Sequence, residues 1–205
     1  MKYDMVVKPT VYRGIQYRSR LEAKWAAFFD LLNWRFDYEP FDLKGWVPDF
    51  ILYGEKEDVL VEIKPITKFC VETSFKIERA NPKCDVLLIG TSPFVIQRDY
   101  NIIEIDYMSA EIHFTEPPII GWLGEYYPEE LDSEYNTISK DSYSWQKCYS
   151  WFVENRWDFC PDEGSFRGRL TGYYDGNHYN GDVNEANSIA ENSWAKAINI
   201  VQKKY

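Results

Sequence analysis

Three residues in the first third of the chain have the types and spacing for phosphate chemistry. They are Asp49, in the run VPDF, and Glu62 and Lys64, in the run VEIK. Both runs lie in apolar, β-branched and aromatic stretches, 46–53 (WVPDFILY) and 59–65 (VLVEIKP), with a polar turn between them. Pairing the two as an antiparallel hairpin around the four-residue loop Gly54–Glu57 sets Tyr53 against Asp58 and Asp49 directly opposite Glu62. Side chains alternate along a strand, so Asp49, Glu62 and Lys64 then share one face. Two adjacent carboxylates repel each other, and a divalent cation between them removes that cost. Hard oxygen ligands suit Mg²⁺ or Mn²⁺, which polarises a scissile phosphate and acidifies water. The neighbouring lysine can position that water or meet charge developing on the phosphate. The competing reading is a surface hairpin with a cross-strand Glu–Lys pair and an Asp beside a turn. It leaves a charged trio embedded in apolar strands without explanation.

The flanking segments read as the scaffold for this hairpin. Residues 19–33 carry Leu21, Trp25, Phe28, Phe29 and Leu32 at helical spacing, and Ser19 with Glu22 matches a capping box. A strand is expected over 35–43, with Pro40 marking a bend or an edge. A second helix is expected over 68–80, ending before Asn81-Pro82, and a wholly apolar buried strand over 85–90. Helix, three strands, helix, strand is an α/β order, and the 59–90 passage implies a crossover joining parallel strands. Residues 94–98 and 101–107 are candidates for a further strand pair. The stretch 116–135, rich in Pro, Glu and Tyr, reads as an irregular connection, and 141–182 as a loop-rich aromatic module. An amphipathic helix is expected from about Asn184, with Lys203 and Lys204 at its negative dipole end.

Pro48-Asp49 and Glu62-Ile63-Lys64 match the signature of the PD-(D/E)XK nucleases, the restriction-endonuclease-like superfamily, and the element order is similar to its common core. The span from Tyr17 to Pro65 resembles small phage and bacterial members and the nuclease subunit of heteromeric transposases. The likeness covers roughly residues 10–95, under half the chain. It implies a restriction-endonuclease-like core (helix, three-stranded antiparallel meander, helix, strand) over 1–110; composition and charge mark 111–205 as an acidic, aromatic-rich C-terminal α+β extension. The resemblance further implies a metal-dependent DNA endonuclease. Glu22, Asp49, Glu62 and the Ile63 carbonyl would hold Mg²⁺, with Mn²⁺ able to substitute, and Lys64 would assist the attacking water. Glu22 has a second explanation in its capping role. Glu39 is a candidate supporting group or a solvated strand residue. Arg18, Arg20 and Lys24 would grip the DNA backbone, or else form an exposed helix face.

The formal net charge of −10 would ordinarily argue against a nucleic-acid partner. Yet residues 1–100 hold 15 basic and 15 acidic residues, whereas 101–205 hold 8 and 18. The excess belongs to the second half. This supports an alternative reading in another class: a nuclease-fold binding protein whose acidic half engages a protein partner, mimics DNA or pairs as a homodimer. Cys148, Cys160, His113 and His178 lack the paired spacing of a zinc ribbon, and DGNHYNGD (175–182) reads as a turn rather than a calcium loop. No long apolar run is present and the first residues lack a signal-peptide stretch, so a cytoplasmic location with reduced thiols in a bacterial or phage-infected cell is expected.

Overall fold

A computed structural model describes residues 8–43, 45–93, 103–105, 112–114, 119–131, 137–153, 156–161, 166–175 and 183–202. The chain opens with a hairpin, β1 (Thr10–Tyr12) and β2 (Ile15–Tyr17). Arg13 and Gly14 close it at positive φ (48° and 79°), the turn twist that suits a two-residue hairpin. Helix α1 (Arg20–Leu31) follows. The Ser19 hydroxyl accepts the Glu22 amide proton at 3.1 Å and donates to Glu22 Oε1 at 2.7 Å, so the capping pair forms.

The meander is β3 (Phe36–Tyr38), β4 (Phe50–Leu52) and β5 (Val59–Ile63), all antiparallel. Its hairpin has the expected register, with Phe50 opposite Val61 and Leu52 opposite Val59. Helix α2 (Val71–Ala80) ends at Asn81, held left-handed (φ 47°) before Pro82. It leads into β6 (Val86–Ile89), which runs parallel to β5. Every residue of β5 and β6 is buried, as strands flanked on both sides must be.

Next come β7 (Ile103–Ile105), β8 (Ile112–Phe114), β9 (Ile119–Tyr127), β10 (Glu130–Leu131), β11 (Thr137–Ser139) and β12 (Ser142–Val153). The chain continues through β13 (Arg156–Pro161), β14 (Phe166–Arg167), β15 (Tyr174–Asp175) and α3 (Val183–Gln202). The main sheet has the order β13-β12-β9-β6-β5-β4-β3, mixed through its single parallel pair, β5 with β6. It therefore takes strands from both halves of the chain and runs across residue 110.

Helices α1 and α3 cover one face. Trp25 and Trp194 meet at 4.8 Å between ring centroids, over Phe50, Leu52, Val59, Val61, Leu87 and Ile89. Ile77 of α2 packs on the other face with Trp46, Ile51, Leu60 and Val86. Burying such large side chains contributes about 2–3 kcal/mol each. Two indole bonds tie distant segments together: Trp25 Nε1 donates to the Gly90 carbonyl at 2.9 Å, and Trp34 Nε1 to the Trp157 carbonyl at 2.8 Å.

Several expected elements differ. The strand over 35–43 shortens to Phe36–Tyr38, because Glu39 takes a positive φ (46°) ahead of Pro40. The strand over 46–53 shortens to Phe50–Leu52, because Trp46 and Leu43 close a tight loop over Gly45. The 101–107 segment contributes β7, which pairs with β8; its expected partner, 94–98, lies outside the described residues. So do Lys203, Lys204 and His178. The expected irregular connection over 116–135 contains β9, a nine-residue strand at the centre of the sheet. The aromatic module contains β12 and β13. Among the described residues, no helix is long and apolar enough to cross a membrane.

Candidate active site

The carboxylates of Glu22, Asp49 and Glu62 gather where the capped start of α1 meets the open end of the β4–β5 hairpin. Each is at most 8% exposed. Asp49 lies one residue before β4. Its Oδ2 accepts the Ile63 amide at 2.6 Å and its amide donates to the Val61 carbonyl at 2.9 Å, so the carboxylate is aimed across the hairpin. Glu62 alternates with the core residues Val61 and Ile63 and so points to the opposite face, where Trp46 Nε1 donates to its Oε2 at 2.8 Å. Glu22 Oε2 accepts from the Tyr38 hydroxyl at 2.6 Å and from the Arg18 amide at 3.2 Å.

Two cations thread this group. Lys64 Nζ pairs with Glu62 Oε1, lies 4.0 Å from Asp49 Oδ2 and donates to the Ile63 carbonyl at 3.1 Å. Arg18 Nη2 pairs with Asp49 Oδ1 at 2.5 Å, while its Nε lies 2.7 Å from Glu39 Oε1 and 3.9 Å from Glu22 Oε2. Burial above all, and the Glu62 charge next, push the Asp49 carboxyl up to about 6, although Lys64 and the Ile63 amide pull it down. Burial and the bond to Glu22 raise the Tyr38 phenol. For Arg18, burial opposes the charge, but Asp49 and its other partners outweigh it and its pKa is raised.

Thus the structure brings together Glu22, Asp49, Glu62, Ile63 and Lys64, all named from sequence. Arg18 joins them as a partner of the carboxylates instead of standing free on the helix face. Arg20 is exposed and Lys24 half-buried; neither makes an ion pair with the described residues, and neither enters the group. Glu39 is tied to Arg18. Sequence reading missed Tyr38 and Trp46. Each is an aromatic with a polar tip, and such residues need a hydrogen-bond partner when buried beside a carboxylate.

Among the described residues, no group of three or more His, Cys, Asp or Glu side chains is placed so that it could hold a metal ion as it stands. The guanidinium and the ammonium stand between the carboxylates instead. The donor chemistry nevertheless fits a hard divalent cation. The oxygens of Asp49, Glu62 and the Ile63 carbonyl already converge on a positive charge, the Lys64 ammonium. The chain matches no family model, no curated protein and no solved structure.

Proposed function

We propose that this chain is a divalent-metal-dependent phosphodiesterase that cleaves DNA, built on a restriction-endonuclease-like core. One observation carries the reading: the ring of oxygens from Asp49, Glu62 and the Ile63 carbonyl around Lys64 Nζ, with Glu22 alongside. Those four residues would hold Mg²⁺ or Mn²⁺, which supplies Lewis acidity to a phosphodiester and to water. Lys64, displaced from the oxygens, holds negative charge on the phosphate or orients the attacking water. Tyr38 and Trp46 fix the carboxylates of Glu22 and Glu62 through the bonds described above. Arg18 has a half-exposed side chain and can exchange Asp49 for a phosphate oxygen.

Supercoiled, linear, single-stranded and branched DNA, each incubated with Mg²⁺, Mn²⁺ or EDTA, test this. Cleavage is expected with metal only, and Asp49→Ala or Lys64→Ala should lower it at least about a hundredfold with the fold retained. Full activity in EDTA or in either variant overturns the proposal.

A second reading has its own support, because Arg18 and Lys64 already neutralise much of the carboxylate group and the acidic excess lies after residue 100. In it the chain is a binding protein on a nuclease fold. A salt-sensitive complex with a basic protein, without cleavage in Mg²⁺ or Mn²⁺, would favour it.

A further inference from the structure

At the opposite end of α1 and β4 from the carboxylate group lies an open cavity of about 500 Å³, between the β1–β2 hairpin and the start of β3. Tyr17 and Trp34 form its buried floor, and Tyr12, Phe36 and Tyr53 are its half-buried walls. Two of the walls are braced: the Tyr12 hydroxyl donates to Asp30 Oδ2 at 2.8 Å and the Tyr53 hydroxyl to Asp37 Oδ2 at 2.6 Å. Rings held in this way present flat apolar surface without further ordering on binding.

The charges of the cavity are unevenly used. Asp30, its one carboxylate among the described residues, is paired with Arg13 at 2.9 Å. Arg35 is exposed and makes no ion pair or side-chain hydrogen bond with the described residues, which leaves one uncommitted guanidinium at the rim. Ile15, 44% exposed, adds an apolar lip. A cavity of this size with aromatic walls and one spare cation suits a planar ring carrying a nearby anion.

Its position relates it to the candidate active site. Tyr17 of the floor lies 4.5 Å from Tyr38 between ring centroids, and Tyr38 is the residue that holds Glu22. Phe36 of the wall and Tyr38 are two residues apart on β3. Tyr53 of the wall is four residues from Asp49 along the same chain segment, about 13 Å at the rise of a strand. A DNA strand with one phosphate at the carboxylates can therefore reach the cavity with a base roughly two nucleotides along. A base stacked inside a duplex cannot enter; an unpaired one can.

We propose that this cavity receives an unpaired nucleobase, with Arg35 on an adjoining phosphate, so that the chain selects single-stranded or branched DNA over plain duplex. The proposal rests on the phosphodiesterase reading only for the identity of the polymer, and it is tested without cleavage. Fluorescence anisotropy in EDTA measures binding of a short labelled oligothymidylate and of a blunt duplex. The wild-type chain should favour the oligothymidylate. Arg35→Ala and Ile15→Asp, both exposed positions, should each weaken that binding roughly tenfold and leave duplex binding unchanged. Equal binding of both DNAs by the wild type, or wild-type binding by both variants, overturns the proposal. Oligothymidylate binding lost in Arg35→Ala, in a protein that never cleaves DNA, supports the cavity and removes only the enzymatic reading. Metal-dependent cleavage with undiminished binding in both variants removes only the cavity.

Discussion

Two buried charge clusters sit on the same sheet and are built on different principles. At the site, the carboxylates of Asp49, Glu62 and Glu22 are sealed while their cations are not: the side chain of Arg18 is 52% exposed and that of Lys64 is 37% exposed. In the second cluster, the Arg169 guanidinium bridges Asp85, at 2.8 Å from Nε, and Glu125, and all three side chains are at most 13% exposed. The Arg169 Nη1 also donates to the Arg167 carbonyl at 3.1 Å, and the Tyr126 amide donates to Asp85 Oδ1 at 2.9 Å. The second cluster is closed and complete, a staple between the start of β6, β9 and the turn at 168–172. The first has buried anions under removable cations, an arrangement suited to exchanging one positive partner for another.

Stability measurements can break this contrast. Arg169→Met leaves two carboxylates buried without their partner and should cost about 3–5 kcal/mol in urea denaturation. Arg18→Met, measured at pH 5 where Asp49 takes up its proton, should cost no more than about 1 kcal/mol. Equal losses would mean that both clusters are staples.

The next effect in size is a pH response confined to the site. Asp49 binds its proton more tightly in the folded chain, at about 6, than at the ordinary 3.8 of the unfolded one. Folded stability should therefore be highest when Asp49 is protonated and fall as pH rises through this window. Relative to Asp49→Asn, the wild type should lose roughly 3 kcal/mol between pH 3 and pH 7. Parallel pH profiles for the two proteins would show that the burial of Asp49 is not strained.

A smaller effect is expected from metal. Mn²⁺ at a hundredfold over its Kd should add about 2.7 kcal/mol to wild-type stability, seen as a rise in Tm. Asp49→Asn should respond far less, whereas Arg169→Met should respond like the wild type. A shift of equal size in Asp49→Asn would place the ion elsewhere.

The sequence was most legible where local rules act alone. Ser19 and Glu22 are three residues apart and their bond is set by that spacing, while a four-residue loop fixed the register that pairs Phe50 with Val61 and Leu52 with Val59. The β5–α2–β6 passage followed from an apolar run and a helix stop. Strand β9 was not legible, because its cues are those of a loop: prolines just before it, Gly121 and Gly124 within it. Both glycines answer to neighbours distant in sequence. A Cβ at Gly121 would collide with the Leu88 carbonyl, and one at Gly124 would lie 2.8 Å from the Trp145 ring. Arg18 was legible as a cation near the site but not as a partner of Asp49, since that ion pair depends on how far α1 advances over the hairpin. Arg169 gave no signal, since its partners lie 84 and 44 residues away.

The place of β6 has a consequence for how the protein is made. Its four residues are wholly aliphatic and buried, and their outer partner is β9, which leaves the ribosome after the complete meander and α2. Until then Val86–Ile89 is an unprotected sheet edge, the kind of surface on which nascent chains associate. The carboxylates at the hairpin thus belong to a sheet that cannot close until the acidic half has been synthesised. A chain stopped near residue 110 should accumulate as aggregate rather than as a small folded core, and the carboxylate group would not be set in place until the last strands have been added.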